Sequence, residues 1–238
     1  MNDNLSNFNQ SFSEAEISTT SNAFVTNVFS YMTLALVISG VAAWWFAQSG
    51  LILQLIETSS ILMWVVMLAP LAMVLIMNFA FNKLSFPALI TIFIAYSFLT
   101  GMSLSTIFLV YTSAAIAKVF LITAGLFTTM AVIGYTTKTD LTKMGSILRM
   151  AVIGIVIAMV VNMFMQSSKM DYVISCIGVL VFTGLIAYDT QKIKRIGAGV
   201  EYGTASASKL AVMGALSLYL DFINLFLFLL RILGGRRD

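Results

Sequence analysis

The 238-residue chain contains no histidine. That absence removes Ser-His-Asp and Cys-His nucleophilic catalysis, HExxH zinc hydrolysis and the imidazole as a pH switch. Cysteine occurs once, as Cys176 inside an apolar run, so an intramolecular disulfide is excluded and a small buried side chain is expected there. Charge is scarce as well. Asp, Glu, Lys and Arg make up 10% of the residues, against roughly 25% in a soluble domain. No nucleotide-binding loop, metal-binding cluster or nucleic-acid-binding motif is present, and no tightly bound cofactor is expected. Proton chemistry in this chain is left to carboxylates, Lys, Tyr or the single Cys.

What is present is hydrocarbon. Hydrophobic residues account for 60% of the chain and the mean hydropathy is +0.97, which places the protein in a lipid bilayer. A span needs about 20 mainly apolar residues. Seven segments qualify, at 25–47, 61–81, 88–111, 115–135, 146–166, 171–190 and 208–232. The fold class expected is all-α and integral to the membrane. Residues 1–23 read as a flexible polar tail without Lys or Arg, 24–233 as a single membrane domain, and 234–238 as a short basic tail. Pro70 is expected to kink the second span.

The net charge of +3 bears on orientation rather than on nucleic acid. Lys83, Lys138, Lys143, Arg149, Lys192, Lys194, Arg195 and Lys209 collect on the side of the N-terminus. Lys118, Lys169, Arg231, Arg236 and Arg237 fall on the other side. The positive-inside rule then puts the N-terminus in the cytoplasm. The arginines at the C-terminus pull against an odd number of spans, unless the last segment is re-entrant or packed centrally.

Acids inside spans are costly and are therefore functional candidates. Two stand out: Asp189 in "GLIAYDTQKIKR" and Asp221 in "LSLYLDFINLFLFLLRI". Helical spacing puts Ser217, Asp221, Asn224, Phe228 and Arg231 on one stripe, too polar for lipid. Ala207, Ala211 and Ala215 recur every four residues and permit close helix contact. The last span should therefore face protein. Asp189 sits at the end of its span, whereas Asp221 lies roughly 20 Å beyond Lys209 at 1.5 Å per residue. The two meet only if the last helix begins outside the membrane. Should they meet, a low-dielectric site does not ionise both cheaply, and one proton is shared. The competing reading is that each acid satisfies a nearby cation or backbone donor. Thr100, Ser103, Thr128 and Thr129 are expected to bond their own helix backbones.

Three stretches, "GYTTKTDLTKMGSIL" (134–148), "GLIAYDTQKIK" (184–194) and "LSLYLDFINLFLFLLRILG" (216–234), resemble the Bax inhibitor-1 family of membrane proteins, in its bacterial branch. The resemblance implies seven transmembrane helices, with helix 7 central and enclosed by the other six. It also implies a pH-sensitive calcium leak in which Asp189 and Asp221 pair across helices 6 and 7 as gate, sensor and calcium ligands. Sharing a proton holds the path shut, and losing it drives the helices apart. Ser217, Asn224, Lys83 and Arg231 are the supporting polar residues. Relatives often carry an arginine near the end of span 2. Here Ala80 stands at the matching place with Lys83 a turn further on, so either Lys83 substitutes or the pair lacks a cation. In the latter case the closed state is favoured at a given pH.

The expected activity is thus a calcium leak, not an enzyme, in a bacterial inner membrane, with the lipid bilayer and calcium as partners. A regulator that restrains a membrane protease or a cell-death pathway is the alternative. An intramembrane aspartyl protease is the third reading: "YD" at 188–189 fits it, but Leu218, Tyr219 and Leu220 replace the GxG expected before the second acid.

Overall fold

The computed structural model describes the backbone of residues 2–58, 60–201 and 203–235. Side chains are described over the same ranges, except 2–20 and several positions between 53 and 63. Most of the expected N-terminal tail and the end of the basic C-terminal tail therefore lie outside the described side chains. Among the described residues the chain is helical: α1 (Asn2–Gln48), α2 (Leu51–Thr58), α3 (Ser60–Phe79), α4 (Phe86–Leu104), α5 (Ile107–Val110), α6 (Ser113–Thr136), α7 (Thr142–Met165), α8 (Ser168–Gly199) and α9 (Ala205–Leu233).

Six segments of the described residues are long and apolar enough to cross a membrane: Ser21–Gln48, Phe86–Val110, α6, α7, α8 and α9. The second expected span corresponds to α3, which contains Pro70, and its apolar stretch Trp64–Phe79 is shorter than the others. Hydroxyl side chains cap the N-termini that enter the bundle: Ser85, Thr112, Ser167 and Thr204 each accept a hydrogen bond from a backbone N–H of the first turn. Within the spans, Thr100, Thr128 and Thr129 donate to carbonyls four residues earlier, while Ser103 reaches the Leu99 carbonyl at 3.1 Å and, more closely, the Val66 carbonyl of α3 at 2.7 Å.

Burial ranks the helices. In α9, 61% of the most apolar window is buried, against 6% in α7. The α9 helix packs against α8, α1, α6 and α4, while α3 leans on α4 and α7 on α8. Enclosure of the last helix is thus built chiefly from four neighbours, with α3 and α7 on the outside. The outer face of α7 carries Ile153, Val156, Ile157 and Phe164, all exposed, as a surface in contact with lipid chains requires. Ala207, Ala211 and Ala215 are buried in α9, so the small-residue stripe does lie at a packed interface.

Two ends follow from contacts. At one, the Ser21 hydroxyl donates to the Lys194 carbonyl, the Lys194 ammonium donates to the Tyr135 carbonyl, and Lys209 sits 4.6 Å from the Phe81 ring centroid. This basic end gathers the starts of the α1 span, α4, α7 and α9 with the ends of α3, α6 and α8. At the other, Arg231 pairs with Asp171 at 3.5 Å.

Two glycines let α8 approach its neighbours near Asp189. A Cβ on Gly134 would strike the backbone of Ala187, and one on Gly145 would strike the Tyr188 ring. Gly154, by contrast, has open space around it. Gly134→Ala and Gly145→Ala should each lower stability by about 1–3 kcal/mol through overpacking. Gly154→Ala should leave it unchanged or raise it slightly. Thermal unfolding of the three variants in detergent checks this.

Candidate functional site: a buried carboxyl pair

Asp189 and Asp221 belong to α8 and α9, which run antiparallel. The register is set by close contacts of two glycines. Gly214 of α9 backs onto Ile193 of α8, and Gly178 of α8 backs onto Phe228 of α9. In that register Asp189 stands within one turn of Asp221. The difference in depth expected from the sequence disappears because α8 does not end near residue 190. It continues to Gly199, ten residues past Asp189, and α9 starts at Ala205. Both acids consequently lie inside the helical bundle.

The two carboxyl groups face one another within hydrogen-bonding reach. Asp221 is 5% exposed and Asp189 is half-buried. Oδ2 of Asp221 has no hydrogen-bond partner among the described residues. Two ionised carboxylates have only acceptors to offer each other, so the contact becomes a hydrogen bond only when one carries a proton. An ionised, unpaired carboxylate at this depth is costly, by several kcal/mol.

The surrounding charges are unequal. Lys192 and Arg149 act on Asp189, whereas the charge facing Asp221 is Asp189 itself. Arg149 of α7 lies 5.2 Å from the Tyr188 ring centroid, and its Nε donates to the Gly145 carbonyl at 3.3 Å. Lys83 is exposed in the turn after α3, and Ala80 is half-buried there. The sequence offered Lys83 or no cation as the pair's positive partner. The positive neighbours are Arg149 and Lys192, so the premise of a cation-free pair is set aside. A basic residue on the next helix has no sequence signal linking it to Asp189. Its position depends on how α7 packs against α8.

The other polar residues of the α9 stripe fall elsewhere. The Asn224 side-chain amide donates to the Leu220 carbonyl at 2.8 Å, closing on its own helix. Ser217 is half-buried. Arg231 lies at the far end, with Asp171 and against the Phe228 ring.

Sequence reading missed a second polar cluster, on the side of α9 turned away from α8. The Tyr219 hydroxyl meets the Ser39 Oγ at 2.6 Å, and Ser39 donates to the Ser97 carbonyl at 2.7 Å. Tyr219, Ser39, Ser97 and Tyr96 are all buried. Residues 219 and 221 are about 200° apart on a helix, so α9 carries one polar contact on each of two opposed faces. A tyrosine two residues before an intramembrane acid was the available signal.

The segment after Asp189 anchors the loop between α6 and α7. The Gln191 amide donates to the Thr139 carbonyl at 2.8 Å and accepts from the Leu141 N–H at 2.9 Å. Arg195 forms a 2.7 Å ion pair with Asp140 and donates to the Thr142 hydroxyl. Asp140, outside the spans, is held well below the usual carboxylate range, first by the Thr142 hydroxyl and then by Arg195.

These features define a polytopic helical membrane protein with a carboxyl pair buried between two of its helices. The chain belongs to the family described as inhibitor of apoptosis-promoting Bax1, whose family model matches residues 21–238. It is 44% identical to inner membrane protein YbhL of Escherichia coli over 215 residues, 90% of this chain and 92% of that one. An uncharacterized protein of Borreliella burgdorferi is 45% identical over 217 residues, covering 91% and 94% of the two chains. The uncharacterized protein RP147 of Rickettsia prowazekii is 43% identical over 218 residues, covering 90% of each.

Two measurements follow from the charges. Removing the positive field on Asp189 by Arg149→Gln should hold a proton on the pair to higher pH, which infrared spectroscopy of the protonated carboxyl band reads as a more alkaline midpoint. Asp140 has the opposite sign logic. Its lowered folded value means that its contacts with Thr142 and Arg195 stabilise the fold at all pH above the unfolded carboxylate range and are lost only on deep acidification. Asp140→Asn should therefore lower the melting temperature by a similar amount throughout about pH 5–8, read by thermal unfolding in detergent.

Proposed function

We propose that the protein is a pH-gated leak for cations, with calcium as the permeant ion and the Asp189–Asp221 pair as the gate. The observation that carries this reading is the meeting of two carboxyl groups inside the bundle, with Asp189 as the charge that faces Asp221. While one proton is shared, the contact joins α8 to α9. When that proton is lost, two like charges face each other at low dielectric and the helices are pushed apart. With no histidine in the chain, a contact of two acids between those helices is left to carboxylates, and Asp189 and Asp221 supply it. A second carboxylate contact between α8 and α9, Asp171 with Arg231, joins opposite charges at the far end.

Calcium fits as a passing ion rather than a resident one. It takes six to eight oxygens, and among the described residues no group of three or more carboxylate, Cys or His side chains gathers to hold a metal. Two carboxylates supplemented by carbonyls and water give a loose site, which suits conduction. The basic end is assigned to the cytoplasm, since Lys138, Lys143, Lys192, Lys194 and Arg195 cluster there. With α3 counted as a crossing, the helices alternate in direction and the C-terminus lies on the opposite side. The printed name of the Escherichia coli relative favours a bacterial inner membrane as the location.

Regulation of another membrane protein remains the second reading, favoured by the family's description as an inhibitor. An aspartyl protease is disfavoured by Leu218 and Leu220 beside Asp221, where the glycines of such sites are needed. The test is calcium flux into liposomes holding the purified protein, measured across pH. Wild type should open as pH rises. Asp189→Asn and Asp221→Asn should each flatten that response. An unchanged response in either variant contradicts the gate, and partner control that survives in a variant without flux supports the regulatory reading.

A further inference from the structure

Helices α1 and α6 both pack on α8 and α9, yet they scarcely pack on each other. Where they do meet, contact is by side chains. The Phe29 and Phe127 rings lie edge to face with centroids 6.4 Å apart, and the Tyr135 hydroxyl donates to Asn22 Oδ1. Between the helices lies a cavity of about 470 Å³ with the exposed Thr33, Thr128 and Val132 among its lining residues. That volume is in the range of small-ligand sites, roughly 300–1,000 Å³. Its floor is Thr190 of α8 and Phe222 of α9, the residues following the two acids.

The lining is graded along the bilayer normal. At the basic end the lining reaches Tyr135. Lys194, just beyond the lining, has its ammonium 4.5 Å from the Tyr135 ring centroid and donates to the Tyr135 carbonyl, which leaves it further donors. One turn deeper is Thr190, fully buried, whose hydroxyl has no hydrogen-bond partner among the described residues. Many hydroxyls in these helices return to the carbonyl four residues back, as Thr128 and Thr123 do, whereas Thr190 and, elsewhere in α8, Thr183 do not. Deeper still the inner wall is apolar, formed by Met32, Phe127, Phe222 and Leu36, with Thr33 and Thr128 at the exposed mouth. Cation, then lone hydroxyl, then hydrocarbon is the order in which a phospholipid presents phosphate, ester carbonyl and acyl chain.

We propose that the cleft between α1 and α6 binds one anionic phospholipid from the leaflet at the basic end. Its acyl chain lies against Phe127 and Phe222, its ester carbonyl accepts from Thr190, and its phosphate rests beside Lys194. A neutral lipid fills the same hydrocarbon slot but lacks the net charge that Lys194 favours. The site is independent of the gating proposal. It borders both acids through Thr190 and Phe222 and requires neither of them to titrate.

The test is lipid retention by native mass spectrometry. The full-length protein is reconstituted in vesicles of equal phosphatidylglycerol and phosphatidylcholine and then extracted in mild detergent. Wild type should keep one phosphatidylglycerol in preference to phosphatidylcholine. Thr128→Trp, at an exposed position of the cleft mouth, should lose that lipid with an unchanged melting temperature. If Thr128→Trp itself fails to fold, Thr33→Trp on the opposite wall is read in its place. Thr190→Val keeps the shape and removes one hydrogen bond, so retention should fall about fivefold, the equivalent of ~1 kcal/mol. Lys194→Gln should abolish the preference between the two lipids. Equal retention of both lipids by wild type, or undiminished retention in the folded tryptophan variant, overturns the proposal.

Discussion

A carboxyl group facing another carboxyl group between two packed helices is the constraint on which this molecule turns. Neither oxygen set can donate, so the contact is attractive with one proton and repulsive with none. Everything near it makes that difference large. Asp221 is buried on the most enclosed helix, and the charged group facing it is Asp189. Arg149 and Lys192 act chiefly on Asp189, the less buried of the two. The two acids are therefore chemically unlike despite being the same residue, because their neighbours differ.

The rest of the fold fixes this geometry. Gly178 and Gly214 set the register of α8 on α9, and Gly134 and Gly145 admit α8 against α6 and α7. On the far face of α9, Tyr219 joins Ser39 of α1, so that helix is tied on both sides by a polar contact in an apolar setting. Past Asp189, the side chains of Gln191, Lys194 and Arg195 bind the neighbouring loop and the end of α6. Twelve residues, 184–195, thus supply a glycine contact, an acid of the pair, a cleft floor and three anchors. Separation of α8 from α9 would be felt at each of these.

Much of this was legible in the sequence, for identifiable reasons. Long apolar runs have one stable form in a bilayer, so the helices and their approximate limits followed from hydropathy. Intramembrane acids are rare, so Asp189 and Asp221 could be singled out, and the alanine stripe on α9 marked a packed face that is indeed buried. Three things were not legible. The far end of α8 was read at residue 190 because its last turns are charged, although the helix runs on to Gly199 outside the apolar region. The cation near the pair was sought at Lys83, since sequence spacing carries no information on which helix packs beside α8, and Arg149 arrives there through α7. Enclosure of α9 by all six other helices was expected, whereas four helices form its principal contacts.

The central claim is that the buried pair holds a proton in the closed state and releases it on opening. Infrared spectroscopy of the reconstituted protein, with its aspartates isotopically labelled, reads a protonated carboxyl directly. The account predicts a carbonyl band of a protonated aspartic acid at acid pH that vanishes on alkalisation, in step with the onset of calcium flux, and that is altered in Asp221→Asn. A closed protein whose aspartates are all ionised would contradict it.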